Sequence, residues 1–310
     1  MKALVTGATG FVGSELLNRL EEAVVLSRNA DRTRSVLGVQ AFDWVPVQGL
    51  PPQAAFDGVD TVFHLAGDPV AQGRWTSAKK ARIRTSRVLG TRNLVDRLAT
   101  LERRPKSLIS ASAVGFYGSR GDTLLDEDAS PANSFLSDVC REWEQEAQRA
   151  EDLGIRVVSV RIGIVLGHGG ALASMLPIFR LGVGGRLGNG RQWMPWIHVD
   201  DLIGLMLLAA TDSRIQGAIN GVAPNPVTNR EFTRQLARGL HRPALFPAPA
   251  LALRLALGEF ASVLLSSQRV VPRVAASAGY TYKYQDLDMA LEAILNQREL
   301  EPDKQDVRVV

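Results

Sequence analysis

The sequence predicts an α/β protein, a doubly wound parallel sheet with a smaller α/β lobe at the C-terminal side. Three observations predict it. Residues 3–13 read as a strand, a glycine turn and a helix start. Apolar runs then alternate with helical patterns as far as residue 165. From Gly167 onward the chain turns Gly- and Pro-rich, the composition shift expected at a domain boundary. Alternating βα units joined by right-handed crossovers build a parallel sheet with helices on both faces.

Ala3–Val5 is a short apolar run that breaks at Thr6-Gly7, and an amphipathic stretch follows from Phe11 to Leu20. Gly7, Gly10 and Gly13 stand three apart. Gly7 permits a tight turn, Gly10 lets the backbone approach a pyrophosphate, and Gly13 lets the helix pack against the strand. The helix N-terminus offers free N–H groups and a positive dipole end to phosphate. In this strand–turn–helix context the spacing implies a Rossmann-type dinucleotide site.

Ala23–Leu26 reads as the second strand. It ends at Ser27-Arg28, about twenty residues past Gly7, where the residue that reads the adenosine ribose is expected. An acid there favours NAD, whereas a cation pairs with a 2′-phosphate. Arg28, with Arg32 a turn further on, therefore favours NADP(H), because guanidinium matches phosphate geometry. Asp31 is the competing acid, but it lies several residues past the strand end. Thr61–Ala66, Ser107–Ala111 and Arg156–Val160 read as buried parallel strands, with helical patterns near 78–99 and 135–153 between them. His198–Ala210 reads as a helix and Gly217–Gly221 as a strand that return to the first lobe. The expected division is 1–165 plus 198–221 for the cofactor lobe, 166–197 plus 222–300 for a substrate lobe, and 301–310 for a polar tail.

Composition bounds the partners. The chain has 310 residues, 45% hydrophobic and 22% charged, with a net charge of +4. Its basic residues are scattered; Arg103, Arg104 and Lys106 sit where a helix should end and cations suit its dipole. No nucleic-acid partner is expected. Cys140 is the only cysteine, which excludes an intrachain disulfide and reads as a buried packing residue. His64, His168, His198 and His241 lack metal-ligand spacing, so no metal is expected. His198 reads as structural. The apolar run Leu251–Leu265 is interrupted by Arg254 and Glu259 and is shorter than the ~18 residues of a membrane span. With a strand starting near residue 2, no signal peptide is expected. The expectation is a cytoplasmic monomer or homodimer acting on a small molecule.

These motifs together resemble the extended short-chain dehydrogenase/reductase family. Thr6-Gly7-Ala8-Thr9-Gly10-Phe11-Val12-Gly13 resembles its fingerprint, and Asp60–Gly67 its fourth strand, whose end lies beneath the cofactor. Ser110–Gly118 is similar to the segment that carries the catalytic serine, and Trp196–Leu202 to a downstream strand-to-helix segment. Gly73–Thr76, Thr85–Arg87 and the tail Pro247–Leu295 are similar to an atypical epimerase branch, labelled cell-division-inhibitor-like, with a C-terminal domain of unknown function. The resemblance implies NADP(H) binding by Gly7, Thr9, Gly10, Phe11, Val12, Gly13, Ser27, Arg28, Arg32, Asp43, Leu65, Ala66, Gly67 and Ser110. It supplies no substrate.

One departure matters. The family places Tyr-x-x-x-Lys on the helix after the fifth strand. The tyrosine exchanges a proton with the substrate oxygen, and the lysine lowers its pKa. In this chain Phe135 and Val139 fall at those positions, and Arg87 replaces an asparagine on the preceding helix. Neither Phe135 nor Val139 can donate a proton, and carbonyl reduction requires a proton donor beside the hydride. Ser112 stays in register as a donor to the substrate oxygen. Tyr117 is the candidate acid, with a nearby Arg87 expected to lower a phenol that starts at ~10. Arg87, Arg186, Trp193 and Trp196 are the candidate substrate-cleft residues. A redox-sensing or regulatory module that binds NADP(H) without turnover is the alternative reading; a nucleotide-sugar epimerase is the weaker one.

Overall fold

A computed structural model describes residues 1–300, with side chains as far as residue 296. The expected tail, 301–310, lies outside the described residues. The chain begins β1 (Lys2–Thr6), α1 (Phe11–Leu17), β2 (Glu22–Ser27), α2 (Ala30–Leu37), β3 (Gln40–Asp43), β4 (Thr61–His64), α3 (Ser77–Ala99) and β5 (Ser107–Ala113). It continues through β6 (Leu124–Leu125), α4 (Phe135–Gln148), β7 (Arg156–Ile162), β8 (Ile164–Leu166), α5 (Gly170–Arg180), β9 (Trp193–Met194) and β10 (Trp196–His198). Then follow α6 (Val199–Thr211), β11 (Gly217–Gly221), β12 (Val227–Thr228), α7 (Asn229–Gly239), α8 (Ala250–Leu257), α9 (Ala261–Leu264), β13 (Arg269–Val270), α10 (Arg273–Ser277) and α11 (Leu287–Leu300).

Seven strands form one parallel sheet in the order β3-β2-β1-β4-β5-β7-β11. The order reverses between β1 and β4, so a ligand crevice lies outside the C-terminal ends of those two strands. Side chains alternate across the sheet. Ala3, Val5, Phe63, Ile109 and Val160 face Leu202 and Met206 of α6 in one core. Leu4, Val24, Val62 and Leu108 face Leu94 and Leu98 of α3 in the other. Burial on both faces explains why these strands read as continuous apolar runs.

Helix ends follow their capping residues. Asn29 caps α2 by accepting from the Arg32 N–H, and α2 stops at Gly38 in the left-handed region. Ser134 opens α4 in the same way, accepting from the Ser137 N–H. Arg104 donates to the Ala99 carbonyl at the end of α3.

Leu172, Phe179, Trp196, Phe232, Leu236 and Leu291 form a separate core in the C-terminal half. Ala275 and Tyr282, however, pack into the core of the large sheet. The segment from β13 to Tyr284 is therefore fastened to the first lobe. Buried carboxylates hold it through backbone N–H groups: Glu127 accepts from Val274, and Asp201 from Lys283 and Tyr284. Among the described residues no helix is long and apolar enough to cross a membrane; the apolar run from Leu251 breaks at Gly258, whose φ is 62°.

Candidate functional site

The turn after β1 has the geometry that three spaced glycines allow. Gly7 has φ 72°, and a Cβ on it would lie 2.8 Å from the Leu65 carbonyl. A Cβ on Gly13 would lie 2.3 Å from the Gly7 oxygen, so only glycine lets α1 sit this close to the turn. A Cβ on Gly10 would meet only that same oxygen, at 3.3 Å. Gly10 is the N-cap of α1 and has no side chain to satisfy the first N–H groups. Thr9 and Gly10 are exposed, the Gly10 N–H is given to the Gly7 carbonyl at 3.0 Å, and no side chain caps the N–H groups of the first turn of α1. Phe11 closes one wall against Gly167, Gly169 and Gly170; a Cβ on Gly167 or Gly169 would fall 2.6 Å from its ring. The glycine cluster that marked a boundary in the sequence is thus also the cover of α1.

Leu65, Ala66 and Gly67 follow β4 and form the floor beside Gly7. Thr6 holds them: its Oγ1 accepts the N–H groups of Leu65 and Ala66, each at 3.1 Å. Its own proton then goes to His64 Nδ1 at 2.8 Å, which leaves His64 Nε2–H to donate to Thr91. Burial, with Arg87 adding to it, lowers the His64 pKa to about 4. Sequence reading missed this Thr6–His64–Thr91 chain, because its members lie on three separate elements. Ser110, expected at the cofactor, is buried beside His64 in the strand register and donates to the Ala111 carbonyl.

At the end of β2, Arg28 is exposed and has no ion pair among the described residues. The two nearby carboxylates are committed elsewhere. Asp31 pairs with Arg34, and Asp43 accepts from the Ala30 N–H at 2.8 Å. Ser27 accepts from Asn29 N and from Thr33. Asp43 therefore shapes the start of α2. Arg32 contributes its N–H to the Asn29 cap.

The expected catalytic pair is relocated by the structure. Tyr117 is fully buried; its hydroxyl donates to Asn220 Oδ1 at 2.7 Å and accepts from Arg161 at 3.0 Å. Burial pushes its phenol up to about 12, although Arg161 pulls the other way. Arg87 is not among the groups that shift it; the neighbouring cation is Arg161. Ser112 is 3% exposed and donates to Glu144 Oε1 at 2.6 Å, so its proton is not directed at a substrate. Glu144 in turn takes Arg161 in a two-pronged pair, 2.9 Å at each oxygen. β5 and β7 place Ser112 opposite Arg161, and α4 brings Glu144 above both. Glu144, Arg161, Asn220 and Glu127 form a polar core that periodicity could not reveal.

Of the two α4 positions expected to replace the tyrosine and the lysine, Val139 is buried. Phe135 packs edge-on against Trp75 at 5.4 Å, with Lys80 over its ring. The α4 residues that face the fifth-strand loop are Leu136, against Gly115, and Cys140, beside Ser112 and Ala113. The Cys140 thiol is raised to about 11, chiefly by burial. Either register lacks the proton relay, because α4 contains no tyrosine and no lysine.

Arg87 is the polar side chain left at the crevice. It is half-buried, and a Cβ on Gly67 would lie 3.0 Å from its Cζ. Nη1 donates to the carbonyls of Asp68 and Ile83, and the guanidinium lies over Trp143 at 5.2 Å. No carboxylate pairs with it among the described residues, since Asp68 is taken by Lys79 and Arg82. Burial pulls its pKa below the ordinary guanidinium value. The other expected cleft residues do not join it. Trp196 is fully buried in the second core and donates to the Asn225 carbonyl. Trp193 donates to Asp122 and stacks under Arg269. Arg186 lies in a groove beside α7. Among the described residues no cluster of His, Cys, Asp and Glu could hold a metal ion.

Comparison with known proteins places the chain among relatives of the same fold. A family model described as the NAD dependent epimerase/dehydratase family matches residues 3–220, and one described as a domain of unknown function matches residues 248–294. The chain is 41% identical over 303 residues to the chloroplastic epimerase family protein SDR39U1 homolog of Arabidopsis thaliana, covering 95% of this chain and 87% of that one. It is 36% identical to the epimerase family protein YfhF of Bacillus subtilis, covering 96% and 99%. Among solved structures, human epimerase family protein SDR39U1 with NADPH superposes with TM-score 0.86 at 33% identity, covering 96% and 99%. A UDP-glucuronic acid 4-epimerase from Bacillus cereus, at 18% identity and TM-score 0.77 over 97% and 100%, shares the fold.

Proposed function

The chain belongs to the NAD dependent epimerase/dehydratase family, and on that premise we propose that it is an NADP(H)-binding, oxidoreductase-like protein in which Arg87 stands in for the tyrosine–lysine pair. The observation that carries the cofactor choice is the end of β2. Arg28 is exposed there without an ion pair, while Asp31 and Asp43 are both engaged elsewhere. A 2′-phosphate supplies the anion that this end of the sheet lacks. The human relative solved with NADPH supports the same choice.

The cradle of Gly7, Gly10 and the first N–H groups of α1 would hold the pyrophosphate, and Thr6 and His64 keep the floor in place. When bound, the cofactor supplies or accepts a hydride. Arg87 then presents fixed positive charge at the crevice. A guanidinium is a poor proton donor but a good stabiliser of a developing oxyanion, and a single such donor is typically worth ~10²–10³ in rate. The proton taken up by the reduced oxygen then comes from solvent water. A nucleotide-sugar 4-epimerase reaction is not proposed, because α4 provides no proton relay.

Deuterium transfer from labelled NADPH to a panel of aldehydes, ketones and quinones tests this reading. Wild type should transfer label to at least one class, and Arg87→Met should lower that rate by about 10²-fold while NADPH affinity holds. An Arg87→Met rate equal to wild type would remove Arg87 from the chemistry. A second reading, a regulatory module that binds NADP(H) without turnover, is favoured by the locked hydroxyls of Ser112 and Tyr117. It takes first place if no carbonyl in the panel acquires label.

A further inference from the structure

We propose that a groove beside α7, walled by five arginines, is a second ligand site that takes a compact anion with two or more adjacent phosphates. The groove has a volume of about 510 Å³, and its walls come entirely from the C-terminal half, from Arg186 and from residues 230–247. It shares no wall residue with the cofactor cradle or with Arg87.

The sequence builds the positive face deliberately. Arg230, Arg234, Arg238 and Arg242 recur every four residues, so three turns of helix and its exit stack their side chains on one side. Arg186 approaches from the opposite wall; a Cβ on Gly190 would lie 3.1 Å from Arg186 Cδ and 3.2 Å from Arg230 Cβ. Like charges four apart on a helix repel. Arg230 also sits in the first turn, where the helix dipole disfavours a cation.

Almost nothing in the chain neutralises this charge. Glu231 pairs with Arg234. Arg230 and Arg242 donate only to backbone carbonyls, of Asn189 and Arg180. Arg186, Arg230, Arg238 and Arg242 form no ion pair among the described residues, although Arg238 lies near enough to Glu231 to help lower its pKa, and no carboxylate lines the groove. A cavity of this size suits a small ligand. Guanidinium forks bind phosphate oxygens in pairs, which places several in register for adjacent phosphates. The wall contains no aromatic side chain on which bases could stack, which argues against a single-stranded nucleic acid.

Calorimetric titration of inorganic pyrophosphate into the NADPH-saturated protein tests the proposal, because the cofactor keeps the cradle filled. ADP in a parallel titration separates a nucleotide source from free pyrophosphate. One saturable site is expected at 0.15 M salt, weakening as salt rises because the arginines are exposed. Arg230→Gln combined with Arg238→Gln should weaken it at least tenfold while NADPH affinity stays at the wild-type value. The proposal is overturned by absence of saturable binding, by equal affinity in the double variant, by an equal effect of sulfate, or by binding confined to a 20-nucleotide RNA.

Discussion

Glu144 carries more of the structure than its place on a surface helix suggests. Among the described residues it forms the ion pair of the buried Arg161, and it also accepts the hydrogen bond of Ser112. Glu144→Gln should cost about 3–5 kcal/mol, the usual consequence of leaving a buried charge unpaired. Urea unfolding measures it, and adding Arg161→Met should recover most of the loss; a Glu144→Gln midpoint at the wild-type value would show that the pair is not structural. His64 gives a pH signature at the same scale. Its folded pKa of about 4 lies below the ordinary 6.5, so the unfolded chain binds a proton that the native state refuses. Its contribution is complete above pH 6.5 and is lost as pH falls toward 4, by up to about 3 kcal/mol at 1.36 kcal/mol per unit. The fall in melting temperature between pH 7 and pH 4.5 should be smaller in His64→Gln than in wild type. An identical fall in both would mean that His64 is not the group responsible.

The elements were more legible than their faces. Apolar runs and glycine spacing located β1, α1, β2, β4, β5 and β7 because a parallel strand buried on both sides cannot avoid an apolar sequence. α4 was legible as a helix, but which of its residues meet the fifth-strand loop was not: Leu136 and Cys140 face it, one residue or about 100° on from Phe135 and Val139. Ser112 and Tyr117 carried the right motif, but the partners that lock them, Glu144 and Asn220, come from distant elements. Gly7 and Gly13 were legible because each answers a local steric demand. Gly13→Ala tests that demand directly: its Cβ would fall 2.3 Å from the Gly7 oxygen and 2.8 Å from Ala8 Cα, both backbone atoms. The turn must shift, at about 1–3 kcal/mol for overpacking. NADPH titration should show at least a tenfold loss; wild-type affinity in Gly13→Ala would mean that the cofactor does not use this turn.

Across the whole molecule, two sets of polar contacts connect what composition separated. Glu127 and Asp201 reach from the large sheet's lobe to the backbone of 274–284, and Asn220 donates to the Val271 carbonyl. These carboxylate-to-backbone bonds leave no periodic trace in a sequence, so composition alone does not show them. The proposed cofactor site draws on the turn before α1, on Arg28 just past β2 and on Arg87 of α3. Paired titrations of NADPH and NADH into wild type and Arg28→Ala test that arrangement most directly. The arrangement predicts tighter NADPH than NADH binding in wild type, and a loss of about 1.5–3 kcal/mol for NADPH alone in Arg28→Ala, the worth of a charge-assisted phosphate contact. Equal wild-type affinities for the two cofactors, or an equal loss for both in the variant, would contradict it.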